Sequence, residues 1–113
     1  MLKQEYRLKR RQDFRRVYQR GKSLKNRAFV LCFRPSIKGE QRIGFSVSKK
    51  IGKAVERNRI RRRLREAVRL ELEAFAPGYD YVIVARLGAK EETVDSLRTR
   101  VKKILAAANL TPR

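Results

Sequence analysis

Residues 44–66 read GFSVSKKIGKAVERNRIRRRLRE. With Ile43 ahead of them they begin on a strict alternation, Ile43, Phe45 and Val47 on one side and Gly44, Ser46 and Ser48 on the other. A period of two is that of a half-buried strand. Lys49 and Lys50 follow, and Gly52 breaks the chain. From Val55 the period changes. At about 100° per residue, Ile60, Leu64, Ala67, Val68 and Phe75 share one face, and Asn58, Arg61, Arg62, Arg65 and Arg69 fall on the opposite arc. The spacing predicts a helix over 55–75. Glu71 intrudes on the apolar sector and marks a place to fray or turn, and Pro77 and Gly78 end the pattern. A strand with a small polar face thus runs through a glycine turn into a helix with an arginine-rich face.

The flanks supply the rest of the fold. Asp13 to Arg20 reads as a short helix, with Phe14, Val17 and Tyr18 on one face and Gly21 as its stop. Ala28 to Arg34 (AFVLCFR) is rich in β-formers and reads as a buried strand, and Pro35 to Gln41 reads as a hairpin loop to the next strand. Tyr81 to Arg86 (YVIVAR) is a second buried strand. Glu91 to Ala108 is a final helix striped by Val94, Leu97, Val101, Ile104 and Ala108. Glu91 and Glu92 stand near its start and Lys102 and Lys103 further along, as the helix dipole favours. The order is helix, strand, strand, helix, strand, helix, with room for one further short strand. That is a small sheet carrying helices, α/β or α+β.

The chain has 113 residues, one domain's worth, and 42% of them are apolar, enough for a modest core. Lys plus Arg total 31 against 11 acids, a net charge of +20. Self-repulsion on that scale points to a polyanionic partner, nucleic acid first. The charge is unevenly placed. Residues 1–27 hold eleven basic side chains against Glu5 and Asp13, residues 49–65 nine against Glu56, and residues 71–113 seven against six acids. There is no histidine, which excludes Ser-His-Asp and Cys-His catalysis and His-zinc sites. Cys32 is the only cysteine, so no intrachain disulfide forms. No apolar run approaches the ~20 residues of a membrane span, and the N-terminal stretch carries no signal core, so a cytoplasmic setting is expected.

Each part of the central motif suits a phosphate backbone. Small residues let RNA approach the sheet, a glycine allows close backbone approach, and guanidinium forks bind phosphate bidentately. Arg57, Arg59, Arg61, Arg62, Arg63 and Arg65 crowd a stretch with one acid at each end. Like charges at i, i+4 destabilise a helix by ~0.2–0.5 kcal/mol each, so such density implies an external counter-charge. A solvated basic face is the plainer reading, and this density argues against it. Phe14 and Tyr18, flanked by Arg15, Arg16 and Arg20, form a second constellation that either packs the first helix or stacks on unpaired bases. Glu91, Glu92 and Asp95 are the only local acid cluster, and at a helix start they read as dipole-complementing surface acids rather than metal ligands.

The stretch SVSKKIGKAVERNRIRRRLRE resembles the signature region of the bacterial ribonuclease P protein subunit. LKRRQDFRRVYQRGKS resembles the start of that family, and NRAFVLCF and DYVIVAR follow in the expected order. The resemblance spans roughly residues 6–107. It implies an α/β two-layer sandwich of ribosomal-protein type over 1–113, in αβββαβα order. The sheet would be small and mixed, of about four strands with three helices, and its βαβ crossover left-handed rather than right-handed as is usual. It implies a subunit of a ribonucleoprotein endoribonuclease that removes the 5′ leader of precursor tRNA, with Mg2+ and catalysis in the RNA and no catalytic residue in the protein. The partners implied are the catalytic RNA and precursor tRNA, with no membrane and no obligate protein partner.

Residue by residue, the resemblance assigns Lys49, Lys50, Lys53, Arg57, Asn58, Arg59, Arg61, Arg62 and Arg65 to the surface for the catalytic RNA. It assigns Phe14, Arg15, Tyr18, Val30, Cys32, Ser46 and Ser48 to a cleft for the leader. Tyr18 stands where a second phenylalanine is common, Cys32 where some members are aromatic, and Lys53 where a helix cap such as Asn would suit. Two other classes fit the composition less well. A ribosomal RNA-binding protein would not need this motif beside an aromatic cleft. A free-standing nuclease would need a histidine or a set of metal-binding carboxylates.

Overall fold

A computed structural model describes residues 6–37 and 39–110. Three helices and four strands follow the order α1 (Arg11–Arg20), β1 (Lys22–Lys25), β2 (Phe29–Pro35), β3 (Arg42–Ser46), α2 (Ala54–Leu70), β4 (Tyr79–Ala85) and α3 (Val94–Ala107). Short 3-10 turns cover Lys49–Ile51, Leu72–Ala74 and Leu87–Glu91. The αβββαβα order and the mixed four-stranded sheet expected from the sequence are present.

Strand order in the sheet is β1-β2-β4-β3. The hairpin expected across Pro35–Gln41 does not form. β2 pairs antiparallel with β4, β3 pairs parallel with β4, and β2 and β3 never meet. The reason lies in β4. Tyr81, Val82 and Ile83 are all fully buried, so the strand is apolar on both faces and must lie inside the sheet. β1, KSLK, is exposed throughout and takes one edge, its lysines blunting that edge. β3 takes the other, where the N-terminal segment covers it: the Leu8 amide donates to the Ile43 carbonyl at 3.0 Å.

The two faces of the sheet are covered unequally. One meets α2 and α3, and Leu31, Ile43, Tyr81 and Ile83 pack there with Ile60, Leu64 and Val68 of α2 and Leu97, Val101 and Leu105 of α3. The other meets α1 and the segment before it, where Val17 and Leu8 pack on Val82, with Phe14, Cys32 and Val84 half-buried beside them. α1 is too short to span that face, and part of the sheet stays open.

The ends of two helices and one strand depart from the sequence reading. α2 stops at Leu70, with Glu71 closing it where the apolar pattern faltered, and a 3-10 turn then carries Phe75 into the core off the helix. α3 begins at Val94 rather than Glu91, because Thr93 caps it: Thr93 and Ser96 exchange side-chain-to-backbone hydrogen bonds in a capping box. β3 ends at Ser46, so Ser48 leaves the strand face, and its hydroxyl accepts from the Lys50 amide at 3.2 Å. No helix among the described residues is long and apolar enough to cross a membrane.

Candidate nucleic-acid interface

Register places the open part of the sheet. On the α1 side, one row across the strands is Arg34–Asp80–Arg42, the next Cys32–Val82–Gly44, and the next Val30–Val84–Ser46. α1 sits over the first two. Val30, Val84 and Ser46 form the floor that it leaves uncovered, all half-buried. Phe14 and Tyr18 wall this floor, their ring centroids 6.4 Å apart and tilted at 49°. Tyr18 is 47% exposed, far too open to be an ordinary core aromatic. Burial raises its phenol above the usual value, partly offset by a hydrogen bond with Ser46. Burial also raises the Cys32 thiol, so that side chain is a neutral, poorly nucleophilic wall residue.

Two features set the depth of this cleft. At Gly44 a Cβ would overlap the Phe14 ring, so the absence of a side chain lets α1 settle onto the sheet. Arg42 then locks it there. Its guanidinium donates to both oxygens of Asp80 at 3.2 Å and to Asp13 of α1 at 3.3 Å. Asp80 and Asp13 are buried, so this fork ties helix to sheet through one shared cation.

The second surface is on α2. Ile60, Leu64, Ala67 and Val68 turn inward. Asn58, Arg59, Arg61, Arg62 and Arg65 turn outward or stay half-exposed, and Arg61 donates to the Asn58 side-chain oxygen at 2.9 Å. None of these arginines meets a carboxylate among the described residues, whereas Glu66 takes Arg69 and Glu56 takes Lys90. Burial, then the charges of Arg7 and Arg61, hold the Arg65 guanidinium below its usual value. Its guanidinium carbon lies 5.9 Å from the Phe45 ring centroid. Lys49 and Lys50 project from the 3-10 turn, and Lys53 stands at the helix N-cap without a side-chain cap.

β3 joins the two surfaces. Phe45 faces α2 under Arg65, while Gly44 and Ser46 face the cleft. A trough of about 320 Å3, lined by Arg7, Lys9, Phe14, Phe45 and Arg65, runs between them.

The sequence reading and the geometry differ over three residues. Ser48 caps a turn beyond the cleft floor. Arg57 lies three residues before Ile60, on the buried side of α2, half-buried with Nε unpartnered. Arg63 reaches across to the turn before α3, where it donates to the Glu92 carbonyl at 3.1 Å. Val84 and Arg42 were not anticipated as part of the site. Val84 was visible as the outward partner in the alternation of YVIVA. Arg42 carried no signal, being one arginine among many.

Comparison with known proteins identifies the family and the fold. The Ribonuclease P family profile matches residues 2–109. The ribonuclease P protein component of Clostridioides difficile (strain 630) is 40% identical over 105 residues, covering 92% of each chain. That of Exiguobacterium sibiricum is 46% identical over 110 residues, covering 90% of this chain and 92% of the relative. The solved Staphylococcus aureus RNase P protein superposes with a TM-score of 0.82 at 34% identity, over 94% of this chain and 97% of that one. Fold and surface together define a small, basic, RNA-binding α/β protein. The chain belongs to the ribonuclease P family, as a protein component of that tRNA-processing ribonucleoprotein endoribonuclease.

Proposed function

We propose that the α2 surface binds the catalytic RNA of ribonuclease P and that the cleft holds the single-stranded 5′ leader of precursor tRNA. One observation carries the division: arginines without carboxylate partners crowd one face, and an aromatic-walled groove lies beside them across a single strand. Lys49, Lys50, Lys53, Asn58, Arg59, Arg61, Arg62 and Arg65 take the RNA subunit, and Arg57 supports them from the buried side of the helix. Phe14 and Tyr18 stack on leader bases over Val30, Cys32, Val84 and Ser46, and Arg15 on exposed α1 neutralises phosphate. Ser48 contributes at the rim by fixing the turn that presents Lys49 and Lys50.

Magnesium belongs to the RNA and substrate in this reading, because the carboxylates among the described residues form no group that could hold it. Of the acid cluster, Glu92 is held by Arg100 at 2.6 Å, Glu91 pairs with Arg27 at 3.2 Å on the surface, and Asp95 is exposed with Arg98 at 3.8 Å. The chain acts as one domain over 1–113, in the cytoplasm, without an obligate protein partner. Cleavage of precursor tRNA at low magnesium tests the reading. Activity is expected when RNA subunit and protein are combined and not with protein alone. Cleavage by the protein alone refutes it, and no rescue of the RNA by the protein favours a purely ribosomal role.

A further inference from the structure

Four buried side-chain polar atoms lack a hydrogen-bond partner among the described residues, and three of them, Arg34 Nη1, Ser36 Oγ and Gln41 Nε2, lie at one end of the sheet. Arg34 explains why. It stands opposite Asp80 in the ladder, but Arg42 already occupies both Asp80 oxygens. The Arg34 guanidinium is left charged, half-buried and with no carboxylate among the described residues. A buried charged donor in that state is costly unless something arrives to accept from it.

A pocket of about 210 Å3 opens beside it, lined by Arg20, Lys22, Phe33, Arg34, Pro35 and Tyr79. Arg20 alone would mean little, since it stands in the last turn of α1 where a cation complements the dipole. Lys22 alone would mean little on an edge strand. Arg34 has no such local reason, and the three cations converge with no carboxylate in the lining.

We propose that this pocket binds a phosphate group of RNA, as a third contact separate from the cleft and from α2. The inference rests on the RNA-binding reading above. Along β4 the row of Asp80 and the row of Val84 are four residues apart, about 13 Å at strand rise, with α1 over the nearer rows. The pocket is therefore set apart from the cleft floor of Val30, Val84 and Ser46. Arg34 supplies a guanidinium fork, and Arg20 and Lys22 supply charge.

The test is a salt series with the full chain, binding the RNase P RNA in one arm and precursor tRNA, within the assembled holoenzyme, in the other. Arg34→Gln is expected to lower the log–log salt slope by about 0.9 in the arm whose RNA supplies the phosphate. Arg34→Lys, which keeps the charge, is expected to retain the slope. Unchanged slopes in both arms for Arg34→Gln, with Arg59→Ala lowering its slope in the same series, overturn the pocket and leave the proposed function standing. If Arg59→Ala is silent too, both readings fall. Thermal melts accompany each variant, and if Arg34→Gln does not fold, exposed Lys22→Gln carries the same measurement.

Discussion

Two helices side by side on the same face of the sheet handle charge in opposite ways. On α3, Arg98 reaches Glu71 at 2.6 Å, Lys102 reaches the same carboxylate at 3.6 Å, and Arg100 reaches Glu92 at 2.6 Å. These pairs join α3 to the end of α2 and to the turn before α3, and Glu71 and Glu92 are largely buried in them. On α2, Arg59, Arg62 and Arg65 meet no carboxylate among the described residues, and each keeps its donors free of acids. Cations on the two helices therefore do different work. Paired ones hold the scaffold together, and unpaired ones raise the local potential and await phosphate. Net charge alone does not separate the two, but the partner of each charge does.

Breaking the unpaired set gives the largest expected effect. Arg59→Ala with Arg62→Ala should weaken binding to the RNA subunit about a hundredfold, near 3 kcal/mol for two charge-assisted contacts. The salt slope should fall by about 2, read by filter binding across a salt series. Stability should hold or rise slightly, because like charges at i, i+3 are removed. The matching change on α3, Arg98→Ala with Lys102→Ala, should leave the slope alone and lower the melting temperature. An equal slope change from both pairs would abolish the distinction.

Arg42→Met breaks a paired cation on the other face. Two buried carboxylates lose their shared partner, costing about 2–3 kcal/mol in denaturant unfolding, at the lower edge for a buried pair because Arg42 keeps some solvent contact. RNA-subunit affinity per folded molecule should be unchanged. Phe14→Ala should cost ~1–3 kcal/mol in affinity for leader-bearing precursor tRNA and nothing for mature tRNA. Equal losses on both would mean that the ring only packs α1. Thr93→Ala, which removes one half of the α3 capping box, should cost about 1 kcal/mol of stability and leave RNA binding intact.

A pH series probes the paired side most gently. Arg100 and then Ser96 hold the Glu92 carboxyl below its ordinary value of 4.5. Its contribution is present above that pH and is lost as pH falls through the lower folded value. Glu92→Gln should flatten the acid side of the stability curve by that one group.

Much of this was legible along the chain. The strands AFVLCFR and YVIVAR and the inward stripe of α2 follow from period and burial, whereas the end of α2 at Leu70 falls short of the predicted Phe75, at the place where Glu71 interrupts the stripe. The strand order did not. Pro35 and Gly39 signal that the chain turns, but which strand it turns toward depends on burial of both faces of β4, a segment more than 40 residues further on. Ser48 continued the alternation perfectly and still left the strand, because a side-chain cap competed for it with the ladder. On the candidate site, the aromatics and the arginine arc were readable from spacing. The Arg42 fork and the orphaned Arg34 were not, since both depend on which arginine wins a single aspartate.

Gly44 shows how narrow the tolerance of such a cleft is. The ring of Phe14 stands where any other residue would place its first carbon. The gap between helix and sheet is thus gauged against a hydrogen atom, with no compliant side chain to take up an error. A methyl group there would act as a shim under α1, tilting both aromatic walls at once while leaving the arginine face of α2 untouched. The two surfaces share a strand, yet one of them can be detuned by a single carbon without the other registering it.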